Sequence, residues 1–210
     1  MNRQFLSASR PGKIVCVGRN YAEHARELNN PIPTSPLLFI KTASCVVPFE
    51  APIVLPKGKG SCHHELEIAL LMGADGPIGV GLALDLTLRD LQDQLKAKGH
   101  PWEKAKAFDG ACPLSDFVAL DEDLYAQLGN LSLQLFRNGD IQQEGNSSQM
   151  LMSITALIGE INHYFSLQEG DVVLTGTPAG VGPLVSGDKL EAKLCGEKGE
   201  VLLSIKSHVV

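Results

Sequence analysis

The chain has 210 residues, 44% of them hydrophobic and 20% charged, and its formal net charge at pH 7 is −6. This length suits one domain with a sizeable core, so we expect a single domain over residues 1–210, with residues 1–12 as an N-terminal extension. Because the chain is acidic, lacks a cluster of basic residues and is only 5% aromatic, we expect neither nucleic acid nor an anionic membrane as its main partner.

Cysteine usage and the N-terminal segment indicate the compartment. The five cysteines are widely spaced and none belongs to a Cys-x-x-Cys pair, which is typical of a reduced intracellular protein and not of a disulfide scaffold or a structural zinc site. Residues 1–13 hold no apolar signal core, and no run of about 18 uncharged apolar residues could span a membrane. We therefore expect a cytoplasmic protein.

The first half of the chain is predicted to consist mainly of short strands. One short helix is predicted at 21–28, ending at Asn29-Asn30-Pro31. A second helix is predicted to begin at Thr87, with Asp90 close to a capping-box spacing and Gly99 at its end. Apolar runs predict strands at 13–17, 37–40, 53–55, 65–72 and 79–86.

The second half adds a hairpin, one longer helix and further strands. Residues 131–136 alternate apolar and polar side chains, and Asn138-Gly139 predicts a tight turn into a strand at 141–144. Apolar residues at helical spacing predict an amphipathic helix over 147–165. Further strands are predicted near 171–174, 189–194 and 201–207. Many short strands with few short helices indicate an α+β, mainly β fold, and not a parallel doubly wound sheet.

Two carboxylates stand two residues apart at the start of an apolar strand. Glu65 and Glu67 should point to the same face, because strand side chains alternate. Asp85 lies in a second apolar run, and three carboxylates from adjacent strands would suit Mg²⁺ or Mn²⁺. The alternative is that each carboxylate is exposed or paired with Lys or Arg. Zinc at Cys62-His63-His64 is disfavoured, because consecutive strand residues alternate faces and cannot all bind one ion.

Three further segments contain groups that could take part in catalysis. On a helix, His24 and Glu27 share a face, so the carboxylate could orient the imidazole as a general base; a solvated pair is the alternative. Lys106 could stabilise an enolate or carboxylate, or belong to a solvated basic segment. The glycine-rich run 175–182 lacks Gly-Lys-Ser/Thr, so it is not a P-loop and is more simply explained as a tight turn.

Several of these motifs, in this order, resemble the fumarylacetoacetate hydrolase (FAH) family. The resemblance covers about residues 11–208 and is closest to small acylpyruvate hydrolase and oxaloacetate decarboxylase members. The motifs are Gly18-Arg19-Asn20-Tyr21, His24 with Glu27, Leu38-Phe39-Ile40-Lys41, His63-His64-Glu65-Leu66-Glu67, Leu84-Asp85-Leu86-Thr87-Leu88-Arg89-Asp90, Pro101-Trp102-Glu103-Lys104-Ala105-Lys106 and Leu174-Thr175-Gly176-Thr177-Pro178.

The resemblance implies a fold and an assignment of site residues. It implies an FAH-type mixed β-sandwich roll with a few short helices, usually in a homodimer. Mg²⁺ or Mn²⁺ would be bound by Glu65, Glu67 and Asp85. The catalytic residues would be His24, Glu27 and Lys106, and the substrate-binding residues would be Arg19, Lys41, Gln92 and Thr177.

The resemblance also implies a function. We expect a metal-dependent hydrolase that cleaves a C–C bond in 2,4-diketo acids, such as acylpyruvates, through a metal-bound enolate of the pyruvyl end. The alternatives are oxaloacetate decarboxylation and isomerisation of the 2-hydroxyhepta-2,4-diene-1,7-dioate type. A metal-dependent keto-acid binding protein without catalysis is the non-enzyme alternative. One departure is the short 73–80 connection, where relatives commonly have a longer segment; we expect it to alter the rim of the site or the subunit contacts.

Overall fold

The computed structural model describes residues 3–7 and 11–210. Within them the chain forms sixteen strands and five short α-helices, so the mainly β, α+β prediction is confirmed. In the described part of the chain, no helix is both long and apolar enough to cross a membrane. The helices are α1 (Ala22–Glu27), α2 (Arg89–Ala97), α3 (Glu103–Lys106), α4 (Glu122–Ala126) and α5 (Ile154–Tyr164). The strands are β1 (Phe5–Leu6), β2 (Ile14–Gly18), β3 (Leu37–Lys41), β4 (Val46–Pro48), β5 (Cys62–His64), β6 (Leu66–Met72), β7 (Pro77–Leu84), β8 (Thr87–Leu88), β9 (Cys112–Leu114), β10 (Phe117–Ala119), β11 (Ser132–Arg137), β12 (Asp140–Asn146), β13 (Val172–Leu174), β14 (Gly182–Pro183), β15 (Lys189–Cys195) and β16 (Val201–His208).

The strands form three sheets of different size. The largest has nine strands, in the order β1-β10-β7-β6-β13-β2-β3, with β9 pairing to β7 and β4 to β9. It is a mixed sheet, because β13 pairs parallel to β2 and antiparallel to β6. A four-stranded antiparallel sheet follows the order β12-β11-β15-β16, and a small third sheet joins β14, β5 and β8.

The hairpin of β6 and β7 lies at the centre of the molecule. All seven residues of β6 are buried, and alternate side chains enter two hydrophobic clusters. Leu66, Ile68 and Leu70 belong to the larger cluster, whereas Ala69 and Leu71 belong to the smaller one on the opposite face. A strand packed on both faces has little freedom to move, so polar groups at its end are held in place.

Most strands predicted from the sequence are present to within a residue or two, but three predictions were wrong in detail. Residues 53–55 form no strand; Ile53 makes a single bridge to Val209. Thr87 does not begin a helix, because its hydroxyl donates to the Asp85 carbonyl at 3.0 Å and the residue pairs with β5. The predicted 147–165 helix begins only at Ile154, where the Ser153 side chain caps it.

Two turns behave as the sequence predicts. Asn138 and Gly139 have φ values of 57° and 94°, which join β11 to β12 in the tight-turn conformation that Asn-Gly favours. The short 73–77 connection closes the β6–β7 hairpin, with the Gly73 N–H donating to the Gly76 carbonyl at 2.7 Å. Within the expected N-terminal extension, β1 pairs with β10, and residues 1–2 and 8–10 lie outside the described residues.

Candidate active site

Three buried carboxylates meet at one end of the β6–β7 hairpin. The register pairs Leu66 with Leu84, and the Asp85 N–H donates to the Glu65 carbonyl at 2.8 Å. Glu65 and Asp85 therefore face each other across the hairpin, and Glu67 lies two residues further along the same face. One oxygen from each carboxylate lies within 4.8 Å of the others. The prediction that Glu65 and Glu67 share a face is confirmed.

Two of the three carboxylates already have cationic partners. The Lys106 ammonium lies 2.8 Å from Glu65 Oε2 and 2.5 Å from Asp85 Oδ2. Arg89 also pairs with Glu65, and Lys41 Nζ lies 2.8 Å from Asp85 Oδ1. Pairing with Lys or Arg, the alternative left open by the sequence, is therefore present for Glu65 and Asp85.

Glu67 is compensated differently from the other two carboxylates. Among the described residues it makes no ion pair, and its Oε2 accepts the Gly176 N–H at 2.6 Å. Burial, together with the negative charge of Asp85, raises the pKa of Glu67 well above its usual value. Burial acts to raise the pKa of Glu65 too, but Lys106 and Arg89 outweigh it and hold that pKa well below its usual range. The site is therefore short of positive charge at Glu67.

This donor set suits a divalent cation. The three groups offer hard carboxylate oxygens, which Mg²⁺ and Mn²⁺ prefer. A cation at Glu67 would supply the positive charge that this carboxylate lacks in the protein. Glu65, Glu67 and Asp85 are the residues that would hold the ion.

His24 and Glu27 lie on α1, and His24 lines the same cleft as the carboxylate triad. His24 is buried, and its Nδ1 lies 3.3 Å from Glu27 Oε2. Glu27 Oε1 accepts the Gly180 N–H at 3.0 Å, which orients the carboxylate. With Nδ1 directed at Glu27, the other ring nitrogen, Nε2, is the one left to exchange a proton with a ligand.

The cleft that contains the triad has an unoccupied volume of about 420 Å³, including space open to solvent. Apolar walls are provided by Leu37, Phe39 and Trp102. Eight of the ten predicted site residues line the cleft: Arg19, His24, Glu65, Glu67, Asp85, Gln92, Lys106 and Thr177.

The other two predicted residues support the cleft without lining it. Glu27 contacts His24 Nδ1 through its Oε2. Lys41, predicted to bind substrate, is completely buried and donates to the Ala111 carbonyl at 3.0 Å as well as pairing with Asp85. The negative charge of Asp85 outweighs the effect of burial and raises the pKa of Lys41. Its position suits holding Asp85 rather than contacting a ligand.

Sequence reasoning did not assign a site role to Arg89, Lys96 or Trp102, although all three line the cleft. Arg89 and Lys96 share one face of α2 with Gln92, and this helical spacing was a signal that could have revealed them. The side-chain Oε1 of Gln92 accepts from Arg89 at 2.7 Å and from Lys96 at 3.2 Å.

A buried glutamine that carried no sequence signal connects several parts of the site. Gln143 Oε1 accepts the Leu66 N–H at 3.0 Å and lies 2.9 Å from His64 Nδ1. Its Nε2 donates to Thr177 Oγ1 at 2.7 Å and to the Pro178 carbonyl at 3.0 Å. Gln143 thus joins the start of β6 to the loop that follows β13.

That loop, residues 175–182, is more than the tight turn that the sequence suggested. Its Gly176 N–H donates to Glu67 and its Gly180 N–H donates to Glu27. One loop therefore contacts both the carboxylate triad and the pair formed by His24 and Glu27, called the dyad below. Gly180 has φ of 96°, and a Cβ there would lie 1.9 Å from the Gln142 carbonyl oxygen. Glycine is therefore required for the close approach as well as for the backbone conformation.

Cys62, His63 and His64 do not make up a group of three potential metal ligands in the described part of the chain. Among the residues that the structure describes, the only group of three potential ligands is the carboxylate triad. His64 instead contacts Gln143, and burial lowers its pKa, so the neutral ring is favoured.

Comparison with known proteins agrees with this geometry. Residues 13–210 match the family model described as fumarylacetoacetate (FAA) hydrolase C-terminal. The oxaloacetate tautomerase YcgM of Escherichia coli is 46% identical over 189 residues, covering 85% of this chain and 86% of that protein. The chain therefore belongs to the fumarylacetoacetate hydrolase family, and the predicted family and FAH-type fold are confirmed.

Two solved structures extend the comparison. A protein from Oleispira antarctica, described as a candidate fumarylacetoacetate isomerase/hydrolase, is 57% identical with a TM-score of 0.92, covering 95% of this chain and 94% of that one. The fumarylpyruvate hydrolase of Pseudomonas aeruginosa, solved with Mn²⁺ and pyruvate, is 30% identical with a TM-score of 0.84, covering 95% and 90%. The Mn²⁺ in that relative and the buried triad here both favour a divalent metal.

Proposed function

We propose that this chain is a divalent-metal-dependent enzyme that moves a proton on the carbon next to the keto group of a small 2-oxo acid. The lead reaction is the tautomerisation of oxaloacetate between its enol and keto forms. The observation that carries the proposal is that the carboxylate triad lines one cleft together with His24, which is paired with Glu27. The similarity to the oxaloacetate tautomerase of Escherichia coli supports this choice of reaction.

The reaction needs only proton movement. Converting the enol to the keto form breaks the O–H bond at C2 and forms a C–H bond at C3, so no oxidant, nucleophile or leaving group is required. A divalent cation held by the triad would stabilise negative charge that develops on the C2 oxygen. His24 Nε2 would carry the proton between oxygen and carbon, and Glu27 would stabilise the imidazolium that forms in between.

The remaining side chains hold the reactants in place. Lys106 lies beside Glu65 and Asp85 and places a positive charge where the substrate's own carboxylate would approach. Lys41 holds Asp85 from behind, and Arg89 holds Glu65. Leu37, Phe39 and Trp102 provide apolar walls that would exclude water beside a bound substrate.

Hydrolytic C–C cleavage of an acylpyruvate, the function expected from the sequence, is the second candidate. It is favoured by the similarity to a fumarylpyruvate hydrolase that binds Mn²⁺ and pyruvate. In that reaction His24 would deprotonate a water that attacks the distal carbonyl carbon, and the bond between C3 and that carbonyl would break. Decarboxylation of oxaloacetate, which needs no attacking water, and dienoate isomerisation remain alternatives.

A substrate panel separates these reactions. Enol-oxaloacetate, keto-oxaloacetate, acetylpyruvate and a hydroxylated dienoate would each be tested with Mg²⁺, with Mn²⁺ and with EDTA. The lead proposal predicts metal-dependent loss of the enol without release of carbon dioxide. Release of acetate from acetylpyruvate as the fastest reaction would favour the hydrolase. Tight binding of oxalate with Mg²⁺, but no turnover of any member, would favour the keto-acid binding protein.

We also propose a homodimer and a cytoplasmic location, both from the family resemblance and the composition. The β6–β7 connection at 73–77 is a short turn at the far end of the hairpin from the triad. We therefore expect its length to affect the surface near that turn and the subunit contacts more than the positions of the carboxylates. The mass of the protein in solution, measured by light scattering, would test the dimer.

A further inference from the structure

Two of the cationic side chains that line the cleft are not paired with its carboxylates. Arg89 is paired with Glu65, and Lys106 is paired with both Glu65 and Asp85. Among the described residues, no carboxylate oxygen lies within 4.0 Å of the other two cationic groups that line the cleft. These two unpaired cations are Arg19 and Lys96.

Lys96 is held in a fixed place by neutral partners. Its ammonium donates to Gln92 Oε1 at 3.2 Å and lies 5.3 Å from the centre of the Trp102 ring. The same Gln92 oxygen accepts from Arg89, and Arg89 in turn pairs with Glu65 of the triad. Gln92 and Arg89 therefore connect the Lys96 ammonium to the triad. Arg19 has one neutral partner, the Asn30 side-chain oxygen at 2.7 Å.

Half-buried cations without an anionic partner are unfavourable, and an anionic ligand would relieve them. Burial and the positive charge of Arg89 lower the pKa of Lys96 to about 8, and the negative charge of Asp93 offsets this only in part. A divalent cation at the triad would add further positive charge to the cleft. The charge balance therefore favours a ligand with two negative charges over a ligand with one.

We propose that Lys96, assisted by Arg19, binds the distal carboxylate of a 2-oxo dicarboxylate whose keto-acid end lies at the carboxylate triad. This inference rests on the proposed function and deepens it, because it selects dicarboxylates such as oxaloacetate over monocarboxylates. Lys96 is a specificity-determining residue in this account, and the proton transfer itself belongs to His24.

Two unreactive ligands test the proposal independently of turnover. Malate and 2-hydroxybutyrate differ only in that a methyl group replaces the distal carboxylate. Their binding would be measured by calorimetry in the presence of Mg²⁺ for the wild type, Lys96→Met, Lys96→Arg and Lys98→Met. Lys98 is an exposed lysine at the end of the same helix and serves as the matched control.

The expected result is a preference for malate of about tenfold or more in the wild type and in Lys98→Met, as one charge-assisted contact provides. In Lys96→Met the preference should fall below about threefold, through weaker malate binding alone, and Lys96→Arg should restore most of it. An unchanged preference in Lys96→Met, equal weakening of both ligands, or no preference in the wild type would overturn the proposal. Lack of turnover of oxaloacetate would count against the proposed function and leave this binding comparison intact.

Discussion

The carboxylate triad and the His24–Glu27 dyad, the two halves of the site, stand on different kinds of secondary structure. The triad stands on the central β6–β7 hairpin, where Glu65, Glu67 and Asp85 are 4%, 1% and 1% exposed. The dyad stands on α1, a six-residue helix whose N-cap makes no side-chain hydrogen bond, and 31% of the Glu27 side chain is exposed. Short helices without caps open at lower cost than buried strands. The carboxylate triad is therefore fixed more firmly than the His24–Glu27 dyad.

A second contrast lies within the triad itself. Glu65 has two cationic partners, whereas Glu67 has one backbone N–H, so the pKa values of these neighbouring carboxylates move in opposite directions. Removing Glu65 would leave Arg89 and Lys106 without that partner, which costs stability as well as metal binding. Glu67 is therefore the cleaner position at which to test the metal.

The largest effect is expected from Glu67→Gln. Turnover should fall by about a thousandfold or more, equivalent to roughly 4 kcal/mol of transition-state stabilisation, and calorimetry should show loss of Mg²⁺ binding. Unfolding temperatures would check the fold, because Mg²⁺ should raise that of the wild type but not that of the variant. Glu191→Gln, a partly exposed position on β15 that pairs with Lys193 and Lys206, is the control. Full activity in Glu67→Gln would show that turnover does not need a metal ion at the triad.

His24→Ala should affect the chemistry and leave the metal site intact. We expect kcat to fall by about a hundredfold to ten-thousandfold, the usual range for a lost general base, with Mg²⁺ affinity changed by less than about twofold. His163 makes a similar contact with Glu160 at 3.2 Å on the exposed face of α5, so His163→Ala is the matched control. If decarboxylation were the main reaction, His24→Ala would retain most of its activity.

Gln143→Met tests whether the loop at 175–182 couples the two halves. The change removes the side-chain partners of Leu66, Thr177 and Pro178, so we expect about 1–3 kcal/mol of destabilisation and about a tenfold loss of kcat/KM. The comparison is Gln134→Met on the neighbouring strand, where the side chain bonds only to exposed Glu144. A variant that is less stable but has wild-type kcat/KM and metal affinity would show that Gln143 supports the fold alone.

The smallest effect is expected from pH. Because the pKa of Lys96 is lowered to about 8, its positive charge is present below that pH and lost above it. Arg19, Arg89, Asp93 and Lys106 are the charged groups that act on it. We expect kcat/KM for oxaloacetate to fall a few-fold as the pH rises from 7 to 9. In Lys96→Arg the decline should be absent; an identical decline there would assign it to another group.

The fold and the triad could be predicted because they depend on local patterns. Alternating apolar residues and Asn138-Gly139 specify the hairpin of β11 and β12, and two carboxylates two apart on a strand must share a face. The start of α2 was misplaced because Thr87 pairs with His63 in β5, and this contact, distant in sequence, outweighs the preference of Thr87 for capping.

The rest of the site could not be predicted because it depends on contacts distant in sequence. Gln143 lies 77 residues from Leu66, and nothing near it in the chain indicates that contact. In the sequence, Lys41 is simply a lysine at the end of a predicted strand. Its ion pair with Asp85 is visible only in the folded structure. The pairing of Arg89 with Glu65 likewise joins an α2 residue to the start of β6.

The most direct test of the central claim is a stopped-flow measurement of the loss of enol-oxaloacetate absorbance. The wild type, Glu67→Gln and His24→Ala would be compared with Mg²⁺ and with EDTA. We predict rapid conversion to the keto form by the wild type with Mg²⁺, and rates near the uncatalysed one in EDTA and in both variants. Conversion at the wild-type rate in Glu67→Gln with EDTA, or no catalysis by the wild type with Mg²⁺, would contradict the account.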